Sequence, residues 1–485
     1  MKSRACSDLI GGELLNSRKM LKLSMSDKPL KIFFSGIGGS GVSAIASFMA
    51  DKGHIVSGSD RAFDKNPAHP AFKILKAKGI NIVPQDGNAI AESDGNPFDF
   101  AVFSTAVEPD QPEFLKAKDL GLPIKTRPEY LAEIVGEFKT IAVAGTSGKS
   151  TTSGMLAFLM KRLGLEPNFI GGGRVKQFKT ETNPGNSITG NSDILVIEAC
   201  ESDGTIVNYK PEHSIILNLD LDHYSVDKTA EMFETLGKNT ASRVIINADD
   251  GNLTKINTQN AVTFSIDNPS KYKTENIVYA PFSTNFSLNG ADFRLSIPGK
   301  YNLYNALSCI AILSEMGIPI KDIAGVLHEF KGIERRFDIH LNDGKRLVID
   351  DYAHNPHKIS SLMQTMKNIK ENICYIFQPH GFAPTLMMKN EYIEAFVKNL
   401  RDSDYLILLP IFYAGGTVSK DISSHDIADG VKAKGKSVEV VEDRGMILQR
   451  LNDQINGYNN YVIFGARDET LSDFAGGIAD LIRSA

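Results

Sequence analysis

Gly145-Thr146-Ser147-Gly148-Lys149-Ser150-Thr151 is the stretch on which the reading of this chain turns. It follows an apolar run at 140–144, predicted as a strand, and precedes an apolar-rich run at 151–163, predicted as a helix. A strand, a glycine turn and a helix in that order make a phosphate cradle. The glycines let successive backbone N–H groups face an anion, and the helix N-terminus adds partial positive charge. Lys149 then reaches the terminal phosphates, and the Ser150 hydroxyl can ligate Mg2+. Only Thr146 and Ser147 separate the two glycines, a shorter gap than the usual P-loop spacing. The Gly-Lys-Ser-Thr ending at a helix start nevertheless carries the nucleotide reading.

Nearer the N-terminus, Gly36-Ile37-Gly38-Gly39-Ser40-Gly41 lies between a predicted strand at 31–35 and a helix at 42–52. The next predicted strand, 54–57, ends at Asp60. This pattern fits a dinucleotide fingerprint, in which the acidic residue holds a ribose. By the same helix-terminus physics it fits the diphosphate of a UDP-sugar equally well. One loop carries a lysine and the other does not, so two nucleotides with different jobs are expected: one cleaved, one held.

Further strands are predicted at 98–104 and 123–126, then at 194–198, 214–219 and 244–247. Polar and apolar residues alternate over 272–298, which predicts antiparallel strands. A third series follows at 346–350, 373–377, 405–409, 437–441 and 461–464. Strands alternating with helices imply α/β sheets. At 485 residues the chain exceeds one hydrophobic core, and about three domains are expected. Their expected bounds are 29–138, 139–333 and 334–485, after a disordered tail at 1–28 in which Met20 and Met25 are alternative starts.

The charge balance, 53 basic against 58 acidic residues, argues against a broad nucleic-acid surface. The four cysteines have no CxxC spacing, so reduced thiols are expected rather than disulfides or a zinc site. No apolar run reaches membrane-spanning length and the N-terminal stretch has no apolar core, so a cytoplasmic protein is expected.

The two glycine loops, in this order and separation, resemble those of the Mur ligases of peptidoglycan synthesis. Further segments join the resemblance: Glu198-Ala199-Cys200-Glu201-Ser202-Asp203-Gly204, Asn218 with Asp222-His223, Glu334-Arg335-Arg336-Phe337, Asp350-Asp351-Tyr352-Ala353-His354-Asn355-Pro356, Phe377-Gln378-Pro379-His380 and Phe464-Gly465-Ala466. It runs from about Lys31 to the C-terminus and is nearest to the family's alanine-adding and murein-tripeptide-adding branches. It implies three α/β domains: a Rossmann-like UDP-binding domain, a central P-loop ATPase domain and a Rossmann-like C-terminal domain. It also implies an ATP-dependent ligase that makes an acyl phosphate on UDP-N-acetylmuramic acid and passes the acyl group to an amine, with ATP and Mg2+ as cofactors. L-alanine is the expected amine, with a recycled murein tripeptide as the alternative. The implied partners are these small molecules, with no nucleic acid and no membrane insertion.

The residue roles implied by the resemblance are as follows. Lys149, Glu198, His223 and Arg336 are catalytic, with Ser150, Glu198 and His223 on the metal. ATP is held by Gly145–Thr151, Asn302, Asn305, Arg336 and Asp351, the last on the ribose. The UDP-sugar is held by Gly36, Gly38, Gly39, Ser40, Gly41, Asp60, Ser104, Thr105 and Arg127. The amine substrate meets Tyr352, His354 and His380. A catalytically silent UDP-sugar-binding protein is the reading from another class, and it would have no need of the phosphoryl-transfer set.

Several positions depart from the family pattern. Ser147 stands for a His, Ser150 for a Thr, Cys200 and Ser225 each for an Asp, and Asn355 for a His. After His380, Gly381 and Pro384 stand where the alanine-adding enzymes carry arginines. A guanidinium there would pair with the carboxylate of the incoming amino acid. Arg467 and Lys389 are the replacement cations considered.

Overall fold

The computed structural model describes residues 28–66, 69–91, 98–221, 224–413, 420–452, 457–466 and 468–484. The tail expected at 1–28 lies outside them up to residue 27, as do Asp222, His223 and Arg467. Three sheets follow one another along the chain and give a three-domain α/β architecture.

The first sheet is parallel throughout, in the order Asn81–Ile82, Ile55–Ser59, Lys31–Ser35, Phe100–Phe103, Ile124–Thr126. Its central strands are apolar runs because helices cover both faces. Successive strands step away on opposite sides of Lys31–Ser35, so the glycine loop after it opens into the switch-point crevice. The helix Ser40–Asp51 is buried continuously from Val42 to Met49. A helix apolar all round must be covered on every side. Its own sheet covers one face, and the central-domain strands Asn168–Ile170 and Ser187–Ile188 meet another.

The central sheet places Lys139–Ala144 between Ile194–Glu198 and His213–Ile216, all parallel. Farther out, Tyr272–Ala280, Ser283–Leu288 and Ala291–Leu295 form the expected antiparallel meander. Ala291–Leu295 alternates buried and exposed residues, the mark of a sheet wet on one face.

The third sheet runs Asp338–Asn342, Leu347–Asp351, Asn460–Gly465, Ile373–Gln378, Tyr405–Leu408, Val438–Val440. Its antiparallel edge strand, Asp338–Asn342, was not expected from sequence, because Asp338, His340 and Asn342 interrupt its apolar residues. Leu347–Asp351 runs one residue farther than predicted and takes Asp351 into the strand. Among the described residues, Cys200, Cys309 and Cys374 are free thiols, and no helix is long and apolar enough to cross a membrane.

Candidate active site

The carboxyl ends of the three central strands bring Glu198, the P-loop and Asn218 together. The helix Lys149–Arg162 starts two residues earlier than predicted, capped by Gly148 at φ +86°. A Cβ on Gly148 would stand 2.5 Å from Asn305 Oδ1, so both conformation and space demand glycine there. Asn218 fixes the loop: its Oδ1 accepts the Thr146 hydroxyl and the Ser147 N–H, both at 2.8 Å, and its Nδ2 donates to Ser147 O at 3.0 Å.

Lys149 Nζ donates to Gly145 O at 2.6 Å and to Glu201 Oε2 at 2.8 Å. Burial pulls the Lys149 ammonium down, but Glu201, with Cys200 and Glu198 nearby, more than offsets it, so the net shift is upward and the lysine stays charged. Ser150 Oγ donates to Glu198 Oε2 at 3.0 Å, while Glu198 Oε1 accepts from Gly172 N–H at 2.7 Å and Gly173 N–H at 3.3 Å. A hydroxyl and a carboxylate converging at a helix start are hard oxygen donors of the kind Mg2+ takes alongside substrate phosphates. His223, the third expected ligand, lies outside the described residues. No group of three or more His, Cys, Asp or Glu is gathered as a metal site among the described residues.

In the first domain, a Cβ on Gly36 would stand 2.8 Å from Ser104 Cβ, which packs the strand-end serine against the glycine loop. Thr105, next along, is exposed. Asp60 is engaged within the loop: Oδ2 accepts from Gly38 N–H and Oδ1 from Ala62 N–H, both at 2.8 Å. The carboxylate expected to hold a ribose thus braces the glycine turn and caps the helix Arg61–Lys65. Arg127 lies against Gly41 and pairs with Asp203 of the central domain at 2.5 Å. Asn186, also central, donates to Ser40 O at 2.8 Å and to Ser43 Oγ at 2.9 Å. Nothing in the sequence around Asn186 marks it. Glu201 and Asp203 lie in the acidic segment 198–204, where the sequence assigns neither of them a partner.

The third cluster belongs to the C-terminal domain. Asp351 accepts N–H groups from Phe337 and Ala353, each at 2.7 Å. Burial pushes the Asp351 carboxyl up, and the neighbouring Arg336 pulls it down. The Arg336 guanidinium lies 4.5 Å from the Tyr352 ring centre, and Tyr352 meets His354 edge-on at 5.6 Å. The phenol of Tyr301 is within the electrostatic reach of both Asp351 and Arg336, which joins the 298–302 segment to this cluster. Asn302 and Asn305 are buried; Asn302 donates to Pro298 O at 2.6 Å, and Asn305 donates to Asn302 Oδ1 at 3.3 Å. They shape the segment that packs on Gly148. His380 follows the strand Ile373–Gln378 and bridges to Phe412. Of the replacement cations considered, Lys389 lies 3.5 Å from Asp426 and Arg467 is outside the described residues.

Known proteins are similar to this chain in sequence and fold. Three family models match in succession: the Mur ligase family catalytic domain over 31–139, the Mur ligase middle domain over 143–313 and the Mur ligase glutamate ligase domain over 335–467. The UDP-N-acetylmuramate–L-alanine ligase of Caldicellulosiruptor saccharolyticus is 32% identical over 430 residues, 85% of this chain and 90% of its own. That of Clostridium kluyveri is 33% identical over 464 residues, 91% of this chain and 96% of its own. Among solved structures, the UDP-N-acetylmuramate–alanine ligase of Thermotoga maritima superposes with a TM-score of 0.77 at 28% identity, covering 94% of this chain and 99% of that one. The three sheets, the order of the two glycine loops and the identity across nearly the whole length agree, and this chain belongs to the Mur ligase family.

Proposed function

We propose that this Mur ligase adds L-alanine to the lactyl carboxylate of UDP-N-acetylmuramic acid at the expense of ATP. As a family member it is an ATP-dependent acid–amine ligase. The choice of substrates is supported by its relatives, which carry the name of the L-alanine ligase at 30–33% identity.

A carboxylate is a poor acyl donor at neutral pH. In the first step a carboxylate oxygen attacks the γ-phosphorus, and the bond from phosphorus to ADP breaks. In the second the amine nitrogen attacks the carbonyl carbon, the C–N bond forms, inorganic phosphate leaves and the amine proton passes to solvent. The Gly145–Gly148 backbone and Lys149 carry the phosphates, and Arg336 faces the transferring group from the third domain. Ser150 and Glu198, with His223, would hold Mg2+, which would supply further charge neutralisation at the phosphates. Asp351 lies on the ribose side, with Asn302 and Asn305 on the adenine side. The first glycine loop, with Asp60 bracing it and Ser104, Thr105 and Arg127 around it, holds the UDP-sugar. Tyr352, His354 and His380 face the amine.

The observation carrying this reading is the convergence of Lys149, Ser150, Glu198 and Glu201 at one strand-end crevice. Phosphate release from ATP with UDP-N-acetylmuramic acid tests it, with L-alanine, glycine, L-serine and the murein tripeptide as separate donors. Release with L-alanine supports it. Release with the tripeptide alone replaces it with the recycling ligase, and no release with any donor ends it.

A further inference from the structure

An amino acid brings a carboxylate into the site along with its amine, and a carboxylate in a partly dry crevice needs a cation. The strands Ile373–Gln378 and Tyr405–Leu408 are parallel neighbours, and their pairing continues past the sheet. Phe412 N–H donates to Pro379 O at 2.8 Å, and Gly381 N–H donates to Phe412 O at 3.0 Å. This extension stacks His380 on Phe412 at 6.2 Å and carries Phe382 to within 5.8 Å of Tyr413. The Lys420 ammonium stands over both of these rings, 5.7 Å from the centre of Phe382 and 5.5 Å from that of Tyr413.

Two ring faces orient an ammonium, but they leave its N–H donors unused. Among the described residues no carboxylate pairs with Lys420, whereas Lys389 on the neighbouring helix already has Asp426 at 3.5 Å. Lys420 is exposed, so an incoming molecule can reach it. It also stands at the carboxyl ends of the strands, where ligands of such sheets collect. We propose that Lys420, aimed by Phe382 and Tyr413, binds the carboxylate of the incoming amino acid. Resting on the ligase reading above, this makes a free α-carboxylate the feature by which the enzyme selects its amine donor. A lysine is a point charge without the bidentate fork of an arginine, so its contribution falls on binding rather than on the geometry of attack.

The test compares L-alanine with L-alaninamide, which keeps the amine and lacks the carboxylate. It uses the full-length enzyme and its Lys420→Met and Lys420→Arg variants, with phosphate release as the readout. In the unaltered enzyme L-alanine is preferred. Lys420→Met raises KM for L-alanine about tenfold or more, leaves kcat within about threefold and abolishes the preference over the amide. Lys420→Arg restores most of it. An unchanged KM, or a preference that survives in Lys420→Met, overturns the proposal. Trapping the acyl phosphate with hydroxylamine in the absence of amino acid separates the two readings. Hydroxamate formed equally by the unaltered enzyme and Lys420→Met keeps the ligase reading intact whatever the KM values show. No hydroxamate from the unaltered enzyme overturns the ligase reading, and this inference with it.

Discussion

Lys149 Nζ and Glu201 Oε2 lie 2.8 Å apart, which ties the P-loop lysine to the loop that follows the strand Ile194–Glu198. Two residues on, Asp203 of the same loop holds Arg127 of the first domain at 2.5 Å. One short acidic loop therefore touches the surroundings of both glycine loops. On the proposed function, its side chains would compete with the anionic groups of the two substrates for Lys149 and Arg127.

Glu201→Gln removes the charge that balances Lys149. Glu201 is 1% exposed and Lys149 14%, so the pair is shielded from solvent. Breaking such a pair from one side leaves an uncompensated cation, and a stability loss of about 2 kcal/mol or more is expected. ATP supplies the missing negative charge. The rise in Tm on adding ATP should therefore be larger in Glu201→Gln than in the unaltered protein, as differential scanning fluorimetry would show.

Asp203→Asn tests whether the loop links the two substrates. If both ligands displace the same loop, each should bind more tightly in the presence of the other, by a factor of about five or more. Calorimetric titration of UDP-N-acetylmuramic acid with and without a non-hydrolysable ATP analogue measures this factor. It should fall toward one in Asp203→Asn, whose remaining oxygen can still serve Thr205, held by Asp203 Oδ1 at 2.6 Å.

Ser150 differs from Thr only by a methyl group, so Ser150→Thr should keep activity within a few-fold. Ser150→Ala removes the hydroxyl that lies 3.0 Å from Glu198 Oε2. The Mg2+ concentration for half-maximal activity is expected to rise about 10–100-fold. A metal titration of phosphate release checks both variants.

Glu113 is fully buried and accepts the Ser35 hydroxyl at 2.6 Å. Burial pushes its carboxyl above the ordinary range, and the hydrogen bond from Ser35 only partly opposes this. The unfolded chain releases this proton at the ordinary carboxylate value, and the folded protein only at higher pH. Folded molecules thus bind more protons inside that window, and Glu113's contribution to stability declines as pH rises through it. Glu113→Gln should remove this decline, which urea denaturation at a series of pH values would reveal as a slope changed by up to about 1.4 kcal/mol per pH unit.

Much of the fold could be read locally. The apolar run 140–144 and the glycines after it announced a strand and a cradle, and the helix start shifted only to Lys149. The edge strand Asp338–Asn342 escaped because its polar residues break the apolar pattern on which strand prediction rests. Asp60 shows a different limit. Its place after the second strand pointed to a ribose ligand, yet both of its oxygens accept backbone N–H groups. Sequence marks a carboxylate at that position without telling whether it faces a ligand or its own loop.

By itself, the sequence determined the two glycine loops, their order, the α/β alternation and the lysine that only one of the loops carries. These are local demands: positive φ at Gly36 and Gly148, N–H groups at a helix start, and apolar runs long enough for a buried strand. Tertiary structure alone decided which acids meet which cations. Lys149 and Glu201 are 52 residues apart in the chain and Arg127 and Asp203 are 76 apart. Asn186 reaches Ser40 across 146. Such pairs depend on sheet order and domain docking, in which many weak contacts set the distance between side chains, and no short stretch of sequence encodes that sum.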